Sequence, residues 1–445
     1  MPESSAIRDL GAFVAATTLD DIPPEVRHQA RRTLLNFVAG ALGAASDPTV
    51  AAAARVLGEC TGRATVIGRG DRLEPMAASF VNAVASNLLD YDDTHLATVI
   101  HPGAPVAPPA LALAETRALG GADLVLATAL GVEVACRIGL SVSPEHYDRG
   151  WHITATCGVF GSAAASARLL GLDAEGVAHA IGIAASASSG LVENLASAAK
   201  NVGVGNAARN GLLAARLAAE GYAAAPTALE GRLGWARASG RPMDLEVLTG
   251  ELGSRWELAR NTYKPYPCGI VMHSVVDAGL ALRAGLRDPL REVVDVEVAG
   301  DALLLARGDR AVTDERDARV SIHHCAAAAL LWGAAGVREF GRERVMDAAV
   351  RTMRSRVRVA LDASQPRGAA RMTVRLAGGE VLETTVVHPK GSEAVPLSDA
   401  ELEAKLRELA AYGGARCEPD AVIEAVWGLE RAPSVAPLTA LVAGR

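Results

Sequence analysis

The sequence predicts a mainly α protein: a large helical bundle domain formed by both chain ends, with a smaller α+β domain inserted between them. Three observations predict it. Ala-rich helical periodicity fills the first 260 residues, alternating β-rich runs follow residue 264, and a helical pattern returns after Pro396. Half of the 445 residues are hydrophobic but only 4% are aromatic, so the core must be built of Ala, Leu and Val, which lets helices approach closely. Single cores stop growing near about 250 to 300 residues, so two domains are expected.

In chain order, the stretch from residue 23, PPEVRHQARRTLLNFVAGALGAA, opens with prolines suited to a first helical turn and continues with apolar positions three and four apart. Similar stretches recur at 76–92, 107–119, 122–140, 158–170, 174–188 and 204–219, separated by short Gly, Pro or Asp segments. After KPYPC at 264–268, REVVDVEVAGDALLL and RMTVRLAGGEVLETTVVHP alternate as strands do, the second around a Gly-Gly hairpin turn. Helical patterns lie between them at 270–285, 321–333 and 342–353. The run LSDAELEAKLRELAAY then carries a Ser or Asp N-cap. The expected division is a helical domain of residues 1–263 and 397–445 and an α+β domain of residues 264–396. A cleft beside such a smaller domain is a common place for a small ligand.

Several function classes lose support. The net charge is -7, from 44 basic and 51 acidic residues with no basic run, which offers nothing to nucleic acid. The opening MPESSAIRDLGAF lacks a basic region followed by an apolar stretch, and no window is read as the roughly 18 apolar residues of a membrane span. A cytoplasmic protein is expected. Six scattered cysteines without CxxC or zinc-finger spacing are expected to be free thiols, with no structural metal. No HExxH, Walker loop, GxGxxG after a strand or GxSxG elbow occurs. Acid-base chemistry by His, Lys and Asp remains.

Four segments could carry it. In LLDYDDTHLATVIHPGAPVAPP, Asp90, Asp92 and Asp93 are read as ending a helix, with Asp90 and Asp93 on one face, followed by Thr94, His95 and His101; capping is the bland alternative for the aspartates. His101 precedes a proline and is expected on an extended loop. His152 stands just ahead of an Ala-rich helix whose N-terminal N–H groups suit an anion, against a satisfied core histidine. Lys200 is a lone lysine in a nearly neutral stretch, either snorkelling to water or held for an anion. In NTYKPYPCGIVMHSVVDA, Lys264 and His273 sit at the domain junction, while Cys268 reads as structural because nothing marks a partner base. His323 and His324 are adjacent and point different ways on a helix.

Together these segments resemble the MmgE/PrpD family. The resemblance rests on YDDTH with a following HPGAPV, GWHITAT with FGSAAASARLLGL, the AKNVGVGNAARNG run, KPYPC with its downstream histidine, and HPKGSEAVPLSDAELEAKLRELA. It implies a helical domain built from both chain ends plus a small α/β lid, a homodimer, and no metal or organic cofactor. It also implies a lyase or isomerase acting on a small carboxylic acid, foremost dehydration of a 2-methylcitrate-like hydroxy acid, with decarboxylation or epimerisation as alternatives and a non-catalytic binding protein as the reading of another class. The active-site positions it implies are Asp90, Thr94, His101, His152, Lys200 and His273, with Lys264 a further substrate contact. His101 is cast as general base or acid with Asp90 orienting it, and His273 as the opposite proton carrier or a carboxylate holder. Where family members acting on tricarboxylates carry a basic KxLHxG pattern, this chain has Lys200-Asn201-Val202-Gly203-Val204-Gly205, which implies a substrate of lower negative charge.

Overall fold

The computed structural model describes residues 5–444. The chain divides into two compact units. Among the described residues the first comprises 5–88, 92–261 and 399–444, and the second comprises 89–91 and 262–398.

The first unit is a helical assembly. Its helices include Pro24–Gly43, Pro75–Leu88, Gly103–Thr116, Gly121–Val142, Ile153–Leu170, Ala174–Ala185 and Ala199–Ala219, with Asp399–Gly413 returning from the far end of the chain. That return is fixed by polar contacts: buried Lys405 donates to Asn36 Oδ1 at 2.7 Å, and Arg32 pairs with Asp399 at 3.2 Å. Small residues let the helices meet at their backbones. A Cβ added at Gly161 would lie 2.4 Å from the carbonyl oxygen of Gly131, which no side chain tolerates. The GSAAASA run is therefore a packing surface.

Three sequence expectations change here. The helix expected to run to residue 92 ends at Leu88; Asp90 has φ +53° and Asp93 lies in the short strand Asp93–His95, so the two share no helix face. The helix expected from residue 107 starts at Gly103 and carries Pro108 and Pro109 inside it. Interior prolines normally break a helix, and the expected start at residue 107 left Pro108 and Pro109 in the first turn, where they are tolerated. Lastly, Gly121–Val142 and Ile153–Leu170 are long and apolar enough to cross a membrane, but 94% and 89% of those windows are buried inside the protein. The first also buries an ion pair, Arg137 Nε donating to Glu133 Oε1 at 2.6 Å. The remaining Arg137 donors reach the carbonyls of Gly250 at 2.7 Å and Arg255 at 2.6 Å. Burial pushes the Glu133 carboxyl up to about 7 despite the attraction of Arg137.

The second unit is α+β. Its four-stranded sheet runs Val357–Leu361, Val293–Gly300, Ala370–Leu376, Val381–Val386, the first pair parallel and the others antiparallel. The Gly-Gly hairpin is present, and DALLL is not strand but the start of helix Ala302–Gly308, capped by Asp301. Strand Val357–Leu361, which buries Val357 and leaves Arg358 and Leu361 exposed, was not among the expected elements. Val296, Val298, Met372 and Val374 of the sheet share one core with Val275, Val276 and Cys325 of helices His273–Arg283 and Ile322–Trp332.

Candidate active site

His101 is held from three sides, all within the first unit. Its backbone N–H donates to Thr154 Oγ1 at 3.1 Å, tying the loop to the first turn of helix Ile153–Leu170. Its Nδ1 lies 2.7 Å from the carbonyl oxygen of Asp93 and 3.0 Å from Thr94 Oγ1. A carbonyl oxygen only accepts, so Nδ1 carries the hydrogen and, in the neutral ring, Nε2 is the basic nitrogen. The Asp92 carboxylate stands 3.8 Å from Nδ1 and is itself almost fully buried. A carboxylate at that distance stabilises the imidazolium formed when Nε2 takes a proton.

Asp92 is set by a buried amide chain. Asn201 Nδ2 donates to Asn87 Oδ1 at 2.9 Å, and Asn87 Nδ2 donates to Asp92 Oδ2. Because Asn201 follows Lys200 on helix Ala199–Ala219, the chain Asn201–Asn87–Asp92–His101 links the lysine-bearing helix to the histidine. Neighbouring Asp93 is a brace: both its oxygens accept from the Gly103 N–H, at 3.1 and 3.0 Å, and Oδ2 accepts from Asn261 Nδ2 at 2.8 Å. Burial, countered by the Asn261 hydrogen bond, pushes its carboxyl up to about 7.

His152 and Lys200 line one cavity of about 280 Å³, together with Leu191, Asn194, Val202 and Gly203. His152 is the N-cap residue of helix Ile153–Leu170, and its N–H donates to the Gly190 carbonyl at 3.1 Å. Lys200 occupies the first turn of its helix and is 6% exposed. A buried ammonium beside a helix N-terminus suits a carboxylate.

The remaining expected residues belong to the second unit. Lys264 Nζ donates to the Asp90 carbonyl at 3.0 Å, and the Tyr91 hydroxyl donates to the Pro265 carbonyl at 2.8 Å. His273 begins helix His273–Arg283, stands edge-on to Tyr266 at 5.7 Å between ring centres, and keeps its buried Nε2 without a hydrogen-bond partner among the described residues. Burial alone would push the Cys268 thiol up; hydrogen bonds with Cys325 and His273, and the Lys264 ammonium, bring it down to about 6.

Sequence reasoning therefore found His101, Thr94, His152, Lys200, Lys264 and His273 as groups with distinctive surroundings. It gave Asp90 the part of His101's partner, whereas the carboxylate at His101 Nδ1 is that of Asp92. It missed Asn87 and Asn201, and it saw no base for Cys268, although His273 lies five residues on. His95, which it left without a role, is buried against Glu257 at 3.2 Å. Among the described residues no three His, Cys, Asp or Glu side chains are grouped to share a metal ion.

The family models for the MmgE/PrpD N-terminal and C-terminal domains match residues 8–248 and 266–429. The chain is 27% identical to a cis-aconitate decarboxylase-like protein, oryM, of Aspergillus oryzae, across 100% of this chain and 98% of that one. It is 31% identical to cis-aconitate decarboxylase of Mus musculus, across 85% of this chain and 81% of the relative. A match to cis-aconitate decarboxylase of Aspergillus terreus is 31% identical across 62% of this chain and 60% of the relative.

Proposed function

Since this chain belongs to the MmgE/PrpD family, we propose that it is a lyase that decarboxylates a small unsaturated carboxylic acid of the cis-aconitate type, with His101 as the proton carrier. The observation that carries the reading is the fixed His101 ring: Nδ1 is committed to the Asp93 carbonyl and faces the Asp92 carboxylate, so proton traffic runs through Nε2.

In such an acid the bond from a CH₂ carbon to its carboxylate breaks and carbon dioxide leaves. The electron pair shifts into the adjacent double bond and onto the carbon conjugated with a remaining carboxylate. That carbon then takes one proton, the step assigned to His101. Lys200, His152 and the N–H groups of helix Ile153–Leu170 hold carboxylate charge through the reaction. The names of the curated relatives support this class over dehydration.

Dehydration of a 2-methylcitrate-like hydroxy acid is the second reading; it needs a second acid for the departing hydroxyl, and within the first unit His152, which lines the same cavity as Lys200, is the candidate. One experiment separates them. Purified protein is incubated in deuterated water with cis-aconitate, 2-methylcitrate, citrate and unsaturated dicarboxylates, and products are read by NMR. Carbon dioxide release with one deuterium in the product supports decarboxylation, loss of water supports dehydration, and absence of exchange with every acid refutes both.

A further inference from the structure

Resting on the proposed proton-transfer site, we infer that the acid handled here carries an alkyl group where cis-aconitate carries its central carboxylate, and that this group lies against Leu191 and Val202. The charge inventory of the cavity is the first reason. Among the residues lining it, Lys200 is the sole permanent charge and His152 the sole titratable group; Asn194 is the only other polar side chain. Three carboxylates placed there would face one fixed cation and one imidazole, leaving at least one carboxylate without a cation to pair with.

The second reason is where the apolar side chains stand. Leu191 is 52% and Val202 45% exposed, so two large hydrophobic residues border the cavity instead of filling the core. Their neighbours do not supply polarity. Gly190 adopts φ +145°, and a Cβ there would lie 2.7 Å from that of Ala155, so its loop can follow this path only without a side chain. The result is a wall of Leu191, Ala199 and Val202 facing a space with one fixed cation. An alkyl substituent covers that wall, and each methylene taken out of water favours binding by about fourfold.

The test uses the 3-methyl, 3-ethyl and 3-propyl glutaconates, which keep the reacting carbons and both outer carboxylates of cis-aconitate and replace the central carboxylate by alkyl. Binding is measured by calorimetry and carbon dioxide release is measured separately, for the intact protein and for Val202→Lys. Each alkyl acid is expected to bind more tightly than cis-aconitate, with affinity rising about fourfold per methylene. Val202→Lys, at an exposed position that does not threaten folding, is expected to move the cis-aconitate to 3-propylglutaconate affinity ratio at least about tenfold toward the tricarboxylate. Tighter binding of cis-aconitate than of all three alkyl acids, or no dependence on chain length, overturns the inference. A chain-length trend in binding without carbon dioxide release supports the substrate class and removes decarboxylation instead.

Discussion

Replacing Asp92 by asparagine removes one charge while keeping the shape of the side chain. The amide oxygen can still accept from Asn87, so the loop should hold, and the loss falls on the imidazolium of His101. At 3.8 Å and an effective dielectric of about 20, a unit charge pair is worth about 4 kcal/mol, roughly a thousandfold in rate. His101 is 14% exposed on its side chain and Asp92 3%, so water weakens the pair only modestly. The expected loss in kcat/KM is about 100- to 1000-fold. The assay is steady-state turnover of the best acid from the NMR panel by wild type, Asp92→Asn and Asp92→Glu, the last restoring charge and part of the rate. A loss below about fivefold in Asp92→Asn, with an unchanged melting temperature, would refute the argument that this carboxylate supports the proton carrier.

The other predictions concern the frame around the site. Asp93 binds its proton more tightly folded, near 7, than unfolded, near 3.8, so between these values the native state holds more protons and stability falls as pH rises, levelling above about 7. Asp93→Asn should abolish that part of the slope and be the more stable protein at pH 8 by up to about 4 kcal/mol; equal slopes in melts from pH 4 to 8 would count against it. Arg137→Met leaves Glu133 buried without its partner and should cost about 3 to 5 kcal/mol, read by denaturant titration. Lys200→Met should lower kcat/KM about 100-fold by removing a carboxylate's cation, and near-normal turnover would take Lys200 out of the site.

Much of the fold was legible because helical period and strand alternation are local signals. The six Ala-rich stretches became six helices, and the Gly-Gly hairpin and the returning helix after Pro396 stand where the pattern put them. Errors arose where tertiary burial overrides local preference. Pro108 and Pro109 sit inside a buried helix against their intrinsic cost, and Gly121–Val142 reaches membrane-span length and apolarity because it lies in a large core. In the site, His101, His152 and Lys200 stood out because a histidine before proline, a histidine ahead of a helix and a lone lysine are each unusual by themselves. Asn87 and Asn201 did not, since an amide chain joining residues 114 apart leaves no trace in spacing. Choosing between Asp90 and Asp92 depended on a backbone that turns left-handed at residue 90, which a run of aspartates does not reveal.

The central claim is that His101 carries the proton, and solvent deuterium incorporation measures this directly. With the preferred acid in deuterated water, wild type should place one deuterium on the carbon next to the remaining carboxylate. His101→Ala should bind the acid with similar affinity and incorporate deuterium at least about 100-fold more slowly. Incorporation by His101→Ala at close to the wild-type rate would contradict the account.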